Sequence, residues 1–337
     1  MSFTTPRRTV AAVSSAAVLL ALGLSGCSSA DSEPAETAAA ADCADFSQTL
    51  KIAQSPVTDY APVWIAYEQG FFEDNGITAE LTESSGTGAE AVALTNSGQV
   101  DIVPGSPSAM LAAASQGIYT QVVTGMSVFP DAEERDPAAV IVKAGSDITR
   151  LKDLEGKTVG ITSLNSQQQS KVMGSVAADG GDPSTIEFVQ VPTASMAALV
   201  ASGELDAIQP FEPIGTQLSA SDEYEAIGYA NWQVIGGAPA MFLTSTPEWI
   251  EKNPCAAEAV ATSIAQAVDF INDEANRDEY VAVLAQYQKV DEELISKIRT
   301  DDFTVEFSAA DYTKLMKHLV EYGVLTEEVD VTPLMGQ

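Results

Sequence analysis

Residues 93–101, ALTNSGQVD, return later in the chain as residues 198–206, ALVASGELD. Each copy closes a helical pattern and leads into a short apolar run. Because a glycine just past a helix end adopts the left-handed conformation at little cost, Gly98 and Gly203 predict two helix stops of the same kind. We interpret the echo as one strand-helix-turn-strand unit used once in each half; the alternative is a coincidence of common helix-stop residues.

The residues that follow the two glycines support the same interpretation. Val100 and Leu205 are placed to fold back on the last helical turn, and Asp101 and Asp206 stand where the next strand opens. Two similar lobes are therefore the predicted architecture.

Outside the repeat, short apolar runs alternate with helical patterns, which is typical of α/β layers with largely parallel strands. The predicted strands are residues 50–53, 77–81, 101–103, 119–124, 140–142, 158–161, 186–191, 206–208 and 226–229. Helices are predicted at residues 63–69, 89–96 and 107–115, and two more at the C-terminal end. The first of these two begins at Pro254, and the second is capped by Ser308.

Length and charge limit the function classes. The chain has 337 residues, enough for two compact units, and 45% of them are hydrophobic. Sixteen Lys and Arg face 48 Asp and Glu, and the net charge of −32 disfavours a nucleic-acid surface, which needs clustered basic residues. The one histidine, His318, lies on the last helix, where we expect it to be solvated or to cap the helix rather than to serve a site.

The N-terminus predicts export and lipidation. Arg7 and Arg8 precede an apolar run, residues 10–24, that is too short to span a bilayer comfortably. The sequence LSGC at residues 24–27 resembles a bacterial lipobox, so residues 1–26 are predicted as a lipoprotein signal peptide and Cys27 as the lipidated N-terminus. An ordinary secretion signal with an incidental cysteine is the alternative. We therefore expect a lipid-anchored protein on the extracytoplasmic face of the cell membrane.

The next segment has little to bury. Residues 27–42 lack aromatic residues and any apolar period, which predicts a flexible tether. In an oxidising compartment the two remaining cysteines, Cys43 and Cys255, favour a disulfide over two free thiols. Two cysteines alone make a poor metal site, so no metal and no other cofactor is expected.

Turns after the predicted strands carry the candidate binding residues. Ligands of open α/β sheets bind beyond the carboxyl ends of the strands, where helix N-termini expose backbone N–H groups. Four such turns are rich in hydroxyl residues and glycine, at residues 84–88, 104–108, 162–166 and 192–195. Each is able to hold an oxyanion, although Ser, Thr and Asn also simply cap helices. Together they predict a cleft between the lobes.

Two further turns hold aromatic and acidic side chains between prolines. Asp59 and Tyr60 follow the first strand, and Phe211 and Glu212 follow the repeated strand of the second half. For Tyr60 and Phe211, packing against their own lobe remains an equal alternative to a place in the cleft wall. Trp64 and Trp249 fit helix faces and are expected in the core, and Trp232 is ambiguous.

These landmarks resemble a known family. The sequence is similar to the substrate-binding proteins of sulfonate, nitrate, taurine and thiamine-precursor uptake systems. Five segments carry this similarity: PVWIAYEQGFF at residues 62–72, the glycine-rich turn into Ala89, SGQVD at 97–101, DLEGKTVG at 153–160 and the second copy of the repeat. The resemblance covers residues 48–330 in order.

The resemblance implies a type II periplasmic-binding-protein fold, with two lobes joined by a two-strand hinge. Lobe 1 would comprise residues 43–130 and 241–337, and lobe 2 residues 131–240. An ABC permease and its ATPase subunits would be the partners of a monomer. Motif position carries over the following ligand-binding residues: Ser55, Asp59, Tyr60, Ser85, Gly86, Thr87, Ser106, Ser163, Asn165 and Glu212.

The residue types narrow the solute. The proposed cleft turns contain no Arg or Lys, and Asp59 and Glu212 would repel a simple anion. We expect a small sulfonate or taurine-like solute, best a zwitterion such as taurine, rather than nitrate; an aromatic heterocycle of the thiamine-pyrimidine or riboflavin type is the alternative. A sensory lipoprotein that binds the same solute is a second alternative. An enzyme of the pyrimidine-synthase type is disfavoured, because its site requires a cleft histidine and a cysteine-rich motif that the sequence lacks.

Overall fold

The computed structural model describes residues 43–84 and 88–336. All nine predicted strands form, within a few residues of their predicted bounds, and two further strands, β10 and β11, were not predicted. The strands are β1 Gln48–Gln54, β2 Ile77–Glu83, β3 Val103–Gly105, β4 Gln121–Val128, β5 Ala139–Lys143, β6 Thr158–Ile161, β7 Glu187–Gln190, β8 Ala207–Ile208, β9 Tyr224–Tyr229, β10 Pro239–Ser245 and β11 Asp302–Phe303.

The helices lie between and after these strands, and the predicted ones are among them. They are α1 Ala61–Glu68, α2 Phe71–Asp74, α3 Gly88–Asn96, α4 Pro107–Ala114, α5 Gln167–Ala178, α6 Thr193–Ser202, α7 Ile214–Ser219, α8 Trp232–Ile235, α9 Pro247–Lys252, α10 Pro254–Asn272, α11 Arg277–Gln288, α12 Glu292–Ile295 and α13 Ala309–Glu321. No helix within the described residues is both long enough and apolar enough to cross a membrane.

One lobe is built on a five-stranded sheet of order β7-β6-β8-β5-β9. Strand β6 pairs parallel with β7 and β8, and β5 pairs antiparallel with β8 and β9. Four of the five strands therefore point the same way, which agrees with the predicted largely parallel sheet. All five lie between residues 131 and 240.

The other lobe repeats this order. Strands β1 and β2 are parallel, and a parallel bridge from Ile52 to Ile102 connects β1 to the start of β3. Strand β10 pairs antiparallel with β3 and β4, and β11 adds a short edge. The order β2-β1-β3-β10-β4 matches β7-β6-β8-β5-β9 position for position. In each lobe the antiparallel strand, β5 or β10, is the first strand after the chain has crossed from the other lobe.

The repeated segment folds identically in its two copies. Gly98 and Gly203 have φ of 68° and 80°, and the backbone N–H after each glycine donates to the carbonyl five residues back. The following Asp101 carboxylate accepts the N–H of Lys51 in β1, and Asp206 accepts that of Thr158 in β6, each at 2.8 Å. The interpretation of the echo as one structural unit used twice is confirmed.

We call the lobe that contains β1 to β4 and β10 the first lobe, and the lobe that contains β5 to β9 the second lobe. The largest hydrophobic core lies in the first lobe. Trp64, Ile264 and Leu284 on α1, α10 and α11 are fully buried there, together with Leu50 and Ile52 of β1. Burying an aliphatic or aromatic side chain of this size contributes about 1.5–3 kcal/mol. Helix α10 is held against this core because its apolar residues recur on one face, as the sequence predicted.

A disulfide ties the start of the described chain to this core. Cys43 and Cys255 are joined, with Cα atoms 5.4 Å apart, so the predicted pairing is confirmed. The bond closes a loop of 212 residues, and in the chain-entropy model a loop of this size stabilises the fold by up to about 5 kcal/mol.

His318 occupies a different environment from the one expected. It is 6% exposed and packs against helix α5, where a Cβ on Gly174 would lie 2.7 Å from its ring. Burial lowers the pKa of His318 to about 4. The expectation of a solvated histidine is therefore wrong: α13 turns this side chain inward, toward a glycine that leaves room for the ring.

The chain crosses between the lobes at residues 129–138 and 230–238. Asp136, in the first crossing, is fully buried and accepts the backbone N–H of Ala138 at 2.8 Å. Its second oxygen accepts the N–H groups of Asn231 and Trp232, in the second crossing, at 2.7 and 2.8 Å. One carboxylate thus holds both crossings together.

We expect Asp136→Ala to lower the free energy of unfolding by about 3 kcal/mol or more, because two buried N–H groups and one partly buried N–H group lose their acceptor, at a cost of roughly 1–3 kcal/mol for each buried group. Urea unfolding measures the loss. The control is Asp131→Ala, in the same crossing, whose exposed ion pair with Arg135 is expected to contribute less than about 1 kcal/mol. Equal losses in the two variants would contradict this role.

Candidate functional site

A cleft with about 490 Å³ of empty space, including its opening, lies where the two lobes face each other. Both lobes and both crossings contribute to its wall. The lining residues are 57–59, Phe129, 137–138, Lys171, 209–212, Asn231 and 299–301. Residues 57–59 follow β1 and residues 209–212 follow β8, so the cleft lies beyond strand ends of both sheets, as predicted.

Asp59 enters the cleft from the first lobe. Pro56 and Pro62 bracket its turn, which forms a short 3₁₀ helix, Thr58–Tyr60, before α1. Burial raises the pKa of Asp59 to about 6, and the nearby charge of Lys171 opposes that rise. Asp59 is half-buried, so its carboxyl group is available to a positively charged partner in the cleft.

Lys171 enters from the second lobe, on helix α5. It is 7% exposed, and its Nζ lies 5.1 Å from the centroid of the Phe129 ring. Burial lowers the pKa of Lys171, while the carboxylates of Asp301, Asp136 and Asp59 oppose that change. Burial also raises the pKa of Asp301 well above its usual value, and the neighbouring Asp59 adds to the rise. The inner cleft therefore holds one lysine among several carboxylates.

Phe211 and Glu212 form the opposite rim. The Phe211 side chain is 46% exposed, so its ring is open to a ligand at this rim. Glu212 accepts the N–H and the hydroxyl of Thr216, both at 3.0 Å. Burial nevertheless raises the pKa of Glu212 to about 7, against the effect of these hydrogen bonds and of Arg299.

A second pocket adjoins the cleft. It holds about 560 Å³ of empty space, including its opening, and shares Glu212 and Arg299 with the cleft. The Arg299 guanidinium lies 4.1 Å from the centroid of the Tyr229 ring and donates to the carbonyl of Glu133 at 2.9 Å. These contacts fix Arg299 between the two cavities.

Three of the predicted binding residues, Asp59, Phe211 and Glu212, line the cleft. Ser55 and Tyr60 lie behind it, 3% and 2% exposed, and Tyr60 packs in the core of the first lobe. Phe211 therefore takes the exposed alternative left open by the sequence, and Tyr60 the packed one.

The other described candidates do not line the cleft. Ser106 caps α4 by accepting the N–H of Ala109. Ser163 and Asn165 are exposed in the turn before α5, with the Asn165 N–H bonded to Gln169. The roles of these residues stay predictions. Ser85, Gly86, Thr87 and Cys27 lie outside the described residues.

Sequence reasoning missed Lys171, Arg299 and Asp301. Lys171 sits inside a helix, and the other two lie just before β11, far from any predicted strand-end turn. Only the acidic pair Asp301 and Asp302 marked that segment, and in an acidic chain it carried no signal. Among the described residues, no group of three or more His, Cys, Asp or Glu is placed to hold a metal ion.

Comparison with known proteins gives the cleft its context. The model of the NMT1-like family matches residues 45–285. The bicarbonate-binding protein CmpA of Synechococcus elongatus is 24% identical over 266 residues, which cover 71% of this chain and 57% of CmpA. The chain thus spans little more than half the length of that curated relative.

Solved structures share the fold over most of both chains. The periplasmic aliphatic sulphonate-binding protein SsuA of Escherichia coli superposes with a TM-score of 0.73 at 16% identity, covering 86% of this chain and 97% of SsuA. The periplasmic nitrate-binding protein NrtA of Synechocystis PCC 6803 gives 0.66 at 18% identity, covering 84% of each chain. The predicted periplasmic-binding-protein fold is confirmed.

The raised pKa of Glu212 predicts a pH dependence of stability. Between its usual value of 4.5 and about 7 the folded protein holds a proton on Glu212 that the unfolded chain releases. Stability from this group is therefore complete below pH 4.5 and lost as the pH rises through 7. We expect the stability of the natural protein relative to Glu212→Gln to fall by about 2–3 kcal/mol across this range, as measured by urea unfolding. A difference that does not change with pH would contradict the burial of this carboxyl.

Proposed function

Because this chain belongs to the NMT1-like family, we propose that it is an extracytoplasmic solute-binding protein of an ABC importer. The observation that carries the proposal is the cleft, whose wall is drawn from both lobes and both crossings. A solute bound there contacts both lobes at once, so binding favours their closure around it. The permease and its ATPase subunits are the proposed partners of a monomer.

The relatives support this class of function. CmpA, SsuA and NrtA are named as binding proteins for bicarbonate, sulphonate and nitrate. None of the three is named for catalysis, and the chain's one histidine does not line the cleft. A role in binding rather than in catalysis follows from both points.

For the solute we propose a small zwitterion of the taurine type. Its ammonium suits the carboxylates of Asp59, Asp301 and Glu212, and its sulfonate suits Lys171 or Arg299. An aromatic heterocycle is the second candidate, favoured by the rings of Phe129 and Phe211 in the same wall. A simple anion such as nitrate would meet more carboxylates than cations.

The N-terminal segments complete the proposal. We infer that residues 1–26 are removed, that Cys27 carries the lipid, and that residues 27–42 tether the folded part to the outer face of the membrane. We take lobe 1 as residues 43–130 with 241–337 and lobe 2 as residues 131–240. A sensory role would use the same cleft, and a kinase gene beside this one, in place of permease genes, would favour it.

Thermal shift with taurine, alkanesulfonates, nitrate, aminopyrimidines and riboflavin tests the proposal. Taurine or an aminopyrimidine is expected to raise the melting temperature, and a shift with nitrate alone would refute the proposed solute class.

Phe211→Ala is expected to weaken binding of the active solute about tenfold, because an apolar contact of that size is lost. The control is Tyr67→Ala, which is as exposed as Phe211 but outside the cleft wall. Equal affinities in both variants would place the site elsewhere.

A further inference from the structure

Three buried oxygen atoms of cleft residues lack a hydrogen-bond partner within the described part of the chain. They are Oε1 of Gln209, Oδ1 of Asn231 and Oδ1 of Asp301. The three residues are only 1%, 1% and 4% exposed, and all three line the cleft. Nine buried side-chain atoms of the described residues lack a partner, and these three are the ones in residues that line the cleft, where leaving an acceptor unpaired is costly. Three of them around one cavity point to a ligand that brings the missing donors.

The surrounding contacts hold the side chain of Gln209 and the backbone of Asn231. The side-chain N–H of Gln209 donates to the carbonyl of Pro210 at 2.8 Å, and Gln168 donates to the backbone carbonyl of Gln209 at 2.6 Å. The backbone of Asn231 is fixed by its N–H bond to Asp136. The Gln209 acceptor is thus set before a ligand arrives, which reduces the entropy lost on binding.

The charge of the inner cleft is also incomplete. Asp136 is already engaged by three backbone N–H groups, so Asp59 and Asp301 depend on Lys171 for a positive partner. One ammonium beside two carboxyl groups does not favour the charged form of both, and the raised pKa values of Asp59 and Asp301 reflect this. A second positive charge, supplied by the ligand, would favour the charged form of both groups.

We infer that the inner wall of the cleft binds the cationic end of the solute, an ammonium or amidinium group whose N–H donors pair with the free oxygens of Asp301, Gln209 and Asn231. This inference rests on the proposed function and deepens it. The cleft selects solutes that have both a positive charge and N–H donors. An anionic group at the other end of the solute is not required for binding. Arg299, between the cleft and the adjoining pocket, is available for such a group.

Isothermal titration of the natural protein with two matched ligand pairs tests the inference. Taurine is compared with isethionate, in which a hydroxyl replaces the ammonium, and benzamidine with benzamide, in which a neutral amide replaces the amidinium cation. The cationic member of a pair is expected to bind about 30-fold more tightly or better, because hydrogen bonds to charged groups are the strong ones. N,N,N-trimethyltaurine keeps the charge but has no N–H donor, and is expected to lose most of the affinity of taurine.

Three outcomes would overturn the inference: tighter or equal binding of isethionate or benzamide, trimethyltaurine binding as well as taurine, or no binding of either taurine or benzamidine. The proposed function is decided separately by the wider solute panel and the Phe211→Ala variant. If the cleft binds an anion and does not prefer ligands with a cationic group, the proposed function stands and this inference is wrong.

A pair of adjacent aspartates supplies the matched variants. Asp301→Asn keeps the shape of the side chain but removes its charge. It is expected to lower the affinity for taurine at least tenfold and to reduce the difference in affinity between taurine and isethionate. Asp302→Asn removes a partly exposed carboxylate that pairs with Arg135, and is expected to leave the affinity unchanged. A merely structural role for Asp301 would weaken taurine and isethionate by the same factor.

Discussion

The buried carboxylate of Asp136 is the constraint on which the geometry of this protein depends. It accepts three backbone N–H groups, one from its own crossing and two from the other. Pro137, Ala138 and Asn231, the immediate neighbours of these bonds, form part of the cleft wall. The contact that joins the crossings therefore also fixes the backbone of Ala138 and Asn231 in the cleft wall, so the crossings and this part of the wall belong to one hydrogen-bonded unit.

Much of the fold was predictable because its signals are local. The helix stop at Gly98 and Gly203 and the strand-opening aspartates lie within nine residues in each copy, and both behave as the pattern indicated. Strand β10 was not predicted because its role is set by pairing with β3 and β4, which lie more than a hundred residues earlier. His318 was misjudged for the same reason, since its burial depends on a glycine in another helix.

The site divides along the same line. Asp59 and Glu212 were predictable because prolines mark their turns and strands precede them. Lys171 and Asp301 reach the cleft only because helix α5 and the segment before β11 come together in the folded chain. No local pattern carries that information. Of the residues that set the charge of the inner cleft, Asp59 was therefore predicted from the sequence, whereas Lys171 and Asp301 were not.

We infer that this cleft holds a solute through the positive charge of the solute. Mass spectrometry of the small molecule released on denaturing protein purified from its native host tests this most directly, because it needs no choice of ligand. We predict the release of one compound, at close to one molecule per chain, that carries a protonated amine or amidine. Release of an anion without a basic nitrogen, at the same stoichiometry, would contradict it.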